Sequence, residues 1–568
     1  MSQSKRWQSK TQPSDEKIQS LAKAININSY LASILVQRGV ETFEQAKDYF
    51  RPKIEELHDP FLMKNMQNAV DRIEKAINKK EKILVYGDYD VDGTTSVALV
   101  YDFLSTIHPF IDFYIPDRHV EGYGISYKGI DYAFESGASL MIALDCGIKS
   151  VEHVLYAKEK GIDFIICDHH NPGTVLPDCV ACLDPKQADC DYPYKELSGC
   201  GVGFKLMQAL SIRFNISEEK LYDYLDLVAI SIGADIVPIT GENRVLTYFG
   251  LKKINERKRL GVKALVEIAG FKKDLTVTNV VFGIAPRINA AGRIKHAKAS
   301  VELLIAKTEI EAQEFAKELN TKNSTRKDLD SGTLREAINL IEKDEKLISA
   351  KSTVLFKNDW HKGVIGIVAS KCIEKYYRPT IILTESNEKA TGSARSVEGF
   401  DLYEALCECA DLLEQFGGHK YAAGLTLKME NIPALIDRFE EVVTRRILPE
   451  QLVPIIEIDL EIPLEAINEK FYGILGQMEP FGPHNLAPIL MTSKVFPTKV
   501  RLLKEEHLKF TLKLRDGTEL DAIGFGMGEY FEAASTGTEL DICYAIDMNE
   551  FNGKKNLQLM LKDVRISG

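Results

Sequence analysis

Residues 83–93 read Ile83-Leu84-Val85-Tyr86-Gly87-Asp88-Tyr89-Asp90-Val91-Asp92-Gly93, an apolar run that ends in three aspartates at alternate positions. A second apolar run, Phe164-Ile165-Ile166, leads to Asp168-His169-His170. Carboxylates at the C-terminal ends of parallel strands point into the crevice where open α/β sheets bind ligands, and left unpaired they repel one another. One or two divalent cations remove the conflict. Oxygen ligands with a few imidazoles suit manganese or magnesium, whereas zinc recruits more His or Cys.

The pattern recurs at Leu140-Met141-Ile142-Ala143-Leu144, followed by Asp145-Cys146-Gly147, and at the apolar stretch from Leu225 to Ala234, read as delivering Asp235 in the same way. A single Asp after a strand is more often a helix cap or turn residue. Four in one stretch outweigh that reading. Asp92-Gly93 still reads as a turn, with Thr94-Thr95 opening a helix through Val100. Strands are expected at 83–86, 111–115, 140–144, 163–167 and 180–183, with helices such as 151–160 between them. This alternation specifies a parallel sheet covered on both faces, an α/β fold.

These motifs resemble the DHH phosphoesterase superfamily: Gly87 to Gly93, Leu144-Asp145-Cys146-Gly147, Cys167-Asp168-His169-His170-Asn171-Pro172 and Gly233-Ala234-Asp235 stand in the family's order. Within it, the chain is most similar, from about residue 50 onward, to the bacterial exonucleases that digest single-stranded DNA from the 5′ end. The resemblance implies two-metal phosphodiester hydrolysis with manganese or magnesium. It makes Asp145 a bridging ligand and catalytic residue, with Asp92, His169 and Asp235 completing one site and Asp90 and Asp88 the other. His170 is given either a catalytic role on the scissile phosphate or proton, or a supporting role behind the ligands. Single-stranded DNA is the implied partner in repair and recombination, with a single-strand-binding protein or a helicase as candidate protein partners. Rival readings are a superfamily member acting on pyrophosphate, oligoribonucleotides or cyclic dinucleotides, and a non-catalytic DNA-binding scaffold. A further β domain favours the exonuclease, and the complete ligand set speaks against the scaffold.

The chain has 568 residues, enough for several domains, and 45% hydrophobic content. Neither a membrane span nor a secretory signal is evident, so a cytoplasmic location is expected. Ten irregularly spaced cysteines fit a reducing compartment. Cys179 and Cys182 form one Cys-x-x-Cys, but Cys190 and Cys200 are not closely spaced, so Val180 to Leu183 reads as a buried strand rather than part of a zinc site. The net charge of −12 argues against a nucleic-acid partner until its distribution is considered. Twelve Lys or Arg stand between Lys252 and Lys298 against Glu256, Glu267 and Asp274, and a second basic stretch runs from Lys494 to Arg515. Against an acidic background these are candidate electrostatic tracks.

The expected organisation is an N-terminal helical cap (1–60), a DHH catalytic domain (61–250), a basic segment and long connecting helix (251–345), a second α/β lobe resembling the superfamily's DHHA1 domain (346–450), and a C-terminal β-barrel (451–568). The barrel, with an Asn552-Gly553 turn, matches an OB-fold in which Phe496 and Phe510 are either stacking platforms or core. In the second lobe a helix is expected over 401–416, capped by Gly417-Gly418. Candidate substrate-binding residues there are Ser393, Arg395, Gly418 and His419, for phosphate contact. Arg118 in Pro116-Asp117-Arg118-His119, Arg287 and Arg293 are further phosphate clamps, and Tyr123 is a stacking partner for a terminal base.

Overall fold

The computed structural model describes residues 5–118, 120–294, 296–551 and 553–567, so His119 and Asn552 lie outside the described residues. The chain divides into two compact units, one of residues 47–326 with 478–486, the other of 1–46, 327–477 and 487–568.

The first unit is built on five parallel strands: β1 (Lys82–Gly87), β2 (Ile111–Tyr114), β3 (Ala138–Leu144), β4 (Asp163–Cys167) and β5 (Ala181–Leu183), in the order β2-β1-β3-β4-β5. Alternate residues face opposite sides: Ile83, Val85, Leu140 and Ile142 enter one core, whereas Leu84, Tyr86, Met141 and Ala143 enter another. Such two-faced burial explains the unbroken apolar runs. Strand order reverses between β1 and β3, the place where open α/β sheets bind ligands.

Helix α1 (Val91–Ser105) starts earlier than Thr94, because Asp90 is its N-cap and accepts from Gly93 N–H at 3.0 Å. Helices α2 (Val151–Glu159), α3 (Gly199–Arg213) and α4 (Leu225–Asp235) follow. The stretch read as a strand before Asp235 is thus helical. Leu225 to Gly233 are all buried, so the segment is apolar on every face, and periodicity cannot separate such a helix from a buried strand. The segment Met478–Leu486 packs into this unit: Tyr49 donates to Asn485 Oδ1 at 2.8 Å, and Arg244 donates to the Met478 and Glu479 carbonyls.

A 34-residue helix, α5 (Glu309–Glu342), occupies the expected connecting segment. In the second unit, β6 (Thr353–Phe356), β7 (Thr380–Ser386), β8 (Lys389–Arg395), β9 (Gln415–His419) and β10 (Ala422–Lys428) form a mixed sheet ordered β9-β10-β8-β7-β6, with α6 (Ile365–Tyr376) packed on β7 and β8. The helix expected over 401–416 stops at Cys407, and Gly417-Gly418 lie in β9 rather than in a cap. Gly418 has φ 152°, and a Cβ there would meet Ala422 O at 2.2 Å, so the glycine serves strand pairing.

The C-terminal region contributes β11 (Ile455–Ile458), β12 (Leu460–Glu461), β13 (Leu490–Val495), β14 (Thr498–Leu503), β15 (His507–Lys513), β16 (Glu519–Gly524), β17 (Leu540–Phe551) and β18 (Lys554–Ile566). All but β11 join one seven-stranded sheet, ordered β12-β13-β17-β18-β16-β15-β14. The N-terminal segment is more than a helical cap: Arg6–Ser9 is a strand that pairs in parallel with β11.

Candidate metal centre

Register aligns the acidic residues. Gly87 pairs with Leu144, Leu144 with Cys167, and Cys167 with Leu183. The residues that follow, Asp88, Asp145, Asp168 and Asp184, therefore form a row one step beyond the ends of four adjacent strands. The ladder continues past the strands, with Asp145 N–H donating to Cys167 O at 2.9 Å and Asp168 N–H to Leu183 O at 3.0 Å.

His169 closes the row. Its Nε2 lies 3.2 Å from Asp145 Oδ1, 3.5 Å from Asp235 Oδ2 and 3.7 Å from Asp92 Oδ2. Asp92, His169 and Asp235 form one potential ligand group, and Asp145, His169 and His170 another. Asp90 and Asp88 sit beside these groups: the Asp90 carboxyl shares a hydrogen bond with Asp145, and the Asp88 and Asp90 charges repel. Burial, then like charge from neighbouring aspartates, raises the carboxyls of Asp88, Asp90 and Asp145, and pushes Asp235 up to about 8. Both oxygens of Asp88 and both ring nitrogens of His169 are buried without a hydrogen-bond partner among the described residues. Orphaned donor atoms among mutually repelling carboxylates fit a divalent cation bound through oxygen and imidazole.

Neighbouring elements fix the ligands. Asp92 Oδ2 accepts from Gly199 N–H at 2.7 Å, and Oδ1 accepts from Cys200 N–H at 2.8 Å and Ser231 Oγ at 2.7 Å. The N-terminus of α3 thus holds this carboxylate, as helix N-termini hold anions. A Cβ on Gly199 would lie 2.6 Å from Asp145 Cβ, so the same turn also braces Asp145. Asp145 itself has φ 58°, a left-handed backbone. Sequence reading missed Gly199 and Ser231; the only signal was Ser198-Gly199-Cys200-Gly201 ahead of an apolar run, a helix-start pattern.

Asp168 serves the histidines. Its Oδ1 accepts from His169 N–H at 2.7 Å and from His170 N–H at 3.2 Å, and lies 2.7 Å from His170 Nδ1, while Oδ2 accepts from Ile148 N–H at 2.9 Å. Burial would raise this carboxyl, but the hydrogen bond and charge of His170 hold it at about 2. Burial likewise opposes charge on His170, yet Asp168 raises it to about 9. His170 Nε2 is 3.0 Å from the Tyr123 hydroxyl. Tyr123 meets Tyr89 edge to face, and the Arg118 guanidinium lies 5.0 Å over the Tyr89 ring. Arg118, Tyr89, Tyr123 and His170 therefore form one wall beside the acidic row.

The other candidates divide. Gly292 abuts Tyr89, with a would-be Cβ 3.0 Å from Tyr89 O, so the helix carrying Arg293 reaches this wall. Arg287 instead donates to Asn320 Oδ1 and Gly283 O within its own unit, a structural commitment sufficient to explain it. In the second unit Arg395 donates to Ser393 Oγ at 3.0 Å, and a Cβ on Gly366 at the start of α6 would meet both side chains, so Ser393 and Arg395 lie against the first turn of that helix. Ser393, Gly424 and Gly417 are in register across β8, β10 and β9, and among the described residues nothing stands within 4 Å of a Cβ at either glycine. His419 is exposed at the end of β9.

The basic stretches are less free than their composition suggests. Lys253, Lys258, Arg259 and Lys263 pair with Asp223, Glu256, Asp226 and Glu309. Lys499, Lys509 and Arg515 pair with Glu519, Asp521 and Glu465. Phe510 is fully buried and belongs to the core; Phe496 and Phe525 are exposed. No described helix is long and apolar enough to cross a membrane.

Residues 82–232 match the N-terminal domain of the DHH family and 344–445 the DHHA1 domain, so fold and site together define a DHH phosphoesterase. Residues 458–563 match the RecJ OB domain. The single-stranded-DNA-specific exonuclease RecJ of Bacillus subtilis is 40% identical over 99% of this chain and 71% of its own length, and that of Salmonella typhimurium is 34% identical over 88% and 90%. The crystal structure of Thermus thermophilus RecJ with Mn2+ superposes with a TM-score of 0.84 at 28% identity, covering 99% of this chain and 79% of that one; a Mg2+ complex gives 0.79 at 27%, covering 99% and 78%. The chain belongs to the RecJ family.

Proposed function

We propose that this protein hydrolyses single-stranded DNA from the 5′ end, releasing nucleotides in DNA repair and recombination with manganese or magnesium as cofactor. The observation that carries the reading is the aspartate row closed by His169, in a chain that also matches the RecJ OB domain. Asp88, Asp90, Asp92, Asp145, His169 and Asp235 would hold the ions, which when bound would supply an acidified water and charge stabilisation on the phosphate.

The chain's own groups do the rest. Asp168 accepts from Nδ1–H of His170, and the raised pKa keeps the ring protonated on both nitrogens near neutral pH, so that Nε2–H, beside the Tyr123 hydroxyl, is available for donation to a phosphate oxygen. Arg118 and Tyr123 line the adjacent wall as candidates for gripping the terminal nucleotide. Ser393 and Arg395, at the first turn of α6, are suited to a phosphate, and the open Gly424 and Gly417 let backbone approach a strand closely. The proposed setting is the cytoplasm, alongside a single-strand-binding protein or a helicase.

Labelled single-stranded DNA, duplex DNA, short RNA and cyclic dinucleotide, each incubated with the protein and manganese, test this reading. Single-stranded DNA alone should be degraded to nucleotides. Preferred hydrolysis of short RNA or cyclic dinucleotide would favour another superfamily activity.

A further inference from the structure

Between His170 and β5 the chain runs through an exposed loop and returns at Cys179, whose side chain is half-buried. Cys182, three residues on and inside β5, is buried in the core on that face of the sheet, with Cys179 packed at its edge. Spacing along a regular strand would point the two side chains to opposite faces. The bend before Ala181 brings them together, and the sulfurs stand 2.9 Å apart. Neither belongs to a group of potential metal ligands among the described residues. We propose that Cys179 and Cys182 are a reversible dithiol–disulfide pair, oxidised by peroxides with Cys179 as the reacting thiol and Cys182 as the resolving one.

The geometry requires little movement. A disulfide has S–S near 2.05 Å, so closure shortens the present separation by less than about 1 Å. Accessibility assigns the order, since peroxide meets the half-buried thiol before the buried one. The hydrogen bond from Cys182 holds the Cys179 thiol below its ordinary range, and the same bond together with burial pushes Cys182 up. Cys179 thiolate attacks one peroxide oxygen, the O–O bond breaks and, with a proton taken up, water leaves, giving a sulfenic acid. The Cys182 sulfur then attacks the Cys179 sulfur, the S–O bond breaks and a second water leaves with the Cys182 proton. Two thiols are oxidised by two electrons, and one peroxide is reduced to two waters. In a reducing compartment such a pair cycles rather than persists.

Peptide mapping of the full-length protein tests this. After hydrogen peroxide, denaturing alkylation and trypsin without reductant, the peptide spanning 161–186 should carry a single alkyl group, on Cys167, and lie two hydrogens below the mass of the singly alkylated dithiol, linked at Cys179 and Cys182. Dithiothreitol should restore three alkylated thiols. In folded Cys182→Ser, dimedone should trap a sulfenic acid at Cys179. Exposed Cys407 provides an internal gauge of oxidation. If Cys407 is oxidised while Cys179 and Cys182 both remain alkylatable, or if the disulfide joins Cys167 instead, the proposal is overturned.

Discussion

Asp145 combines burial, repulsion by Asp92, Asp90 and Asp235, and a left-handed backbone at φ 58°. Asn tolerates that backbone better than Ala and removes the charge, which makes Asp145→Asn the cleaner substitution. It should abolish manganese-dependent turnover while the protein stays folded. The raised carboxyls also set a pH dependence. Because the folded-state pKa exceeds the unfolded one, the native protein holds those protons more tightly, so the metal-free fold is favoured by acid and loses stability as pH rises toward the value of about 8 at Asp235. In chelator, the wild-type melting temperature should fall between about pH 5 and about pH 8, and Asp145→Asn should fall less. An equal or steeper fall in the variant would contradict the repulsion argument. Arg395 carries a second expectation: strands with a 5′ phosphate should be degraded faster than 5′-hydroxyl strands, and Arg395→Ala should narrow the difference by about tenfold or more, the worth of a charge-assisted hydrogen bond. Equal rates on both strand types in the wild type would remove its assigned role. Asp88, Asp145, Asp168 and the two histidines were legible because they follow strands, whereas Asp235 was found although the stretch before it is a helix; the role of Asp168 was not legible, because hydrogen bonds to His169 and His170 depend on how the loop folds back.

The strands of the parallel sheet could be read almost residue by residue, since β1, β3 and β4 are short apolar runs bounded by turn residues. α4 and β9 could not. The first is apolar all round and lacks a helical stripe, and the second contains two glycines that look like a helix stop when strand pairing is unseen. The start of α3 was equally hidden, although it fixes both Asp92 and Asp145. Gly199→Ala should therefore drive a methyl into Asp145 and weaken manganese binding by about 10- to 100-fold, the scale seen when support behind a metal ligand is removed. Calorimetry that returned wild-type affinity for a folded Gly199→Ala would show that the turn does not brace the ligand.

At the scale of the molecule, the pairing of Arg6–Ser9 with β11 and the packing of Met478–Leu486 against Tyr49 and Arg244 make removal of the C-terminal region an unclean test, since it would strip support from both units. Charge substitution is better. Lys494, Arg501, Lys504 and Lys513 are exposed on the OB region, whereas Lys499, Lys509 and Arg515 are engaged by carboxylates. Replacing Arg501 and Lys504 by Gln should lower the salt slope of binding to long single strands by up to about 0.7 for each phosphate no longer neutralised, with little effect on cleavage of very short ones. An unchanged slope would give that face another task. The most direct test of hydrolysis from the 5′ end follows the fate of an end label: one single strand labelled at its 5′ end and the same strand labelled at its 3′ end, digested with manganese and sampled early. The 5′ label should appear at once as nucleotide while the 3′ label stays on progressively shorter strands, and chelator should stop both. Early release of the 3′ label, or cutting of a circular single strand, would contradict 5′-end hydrolysis.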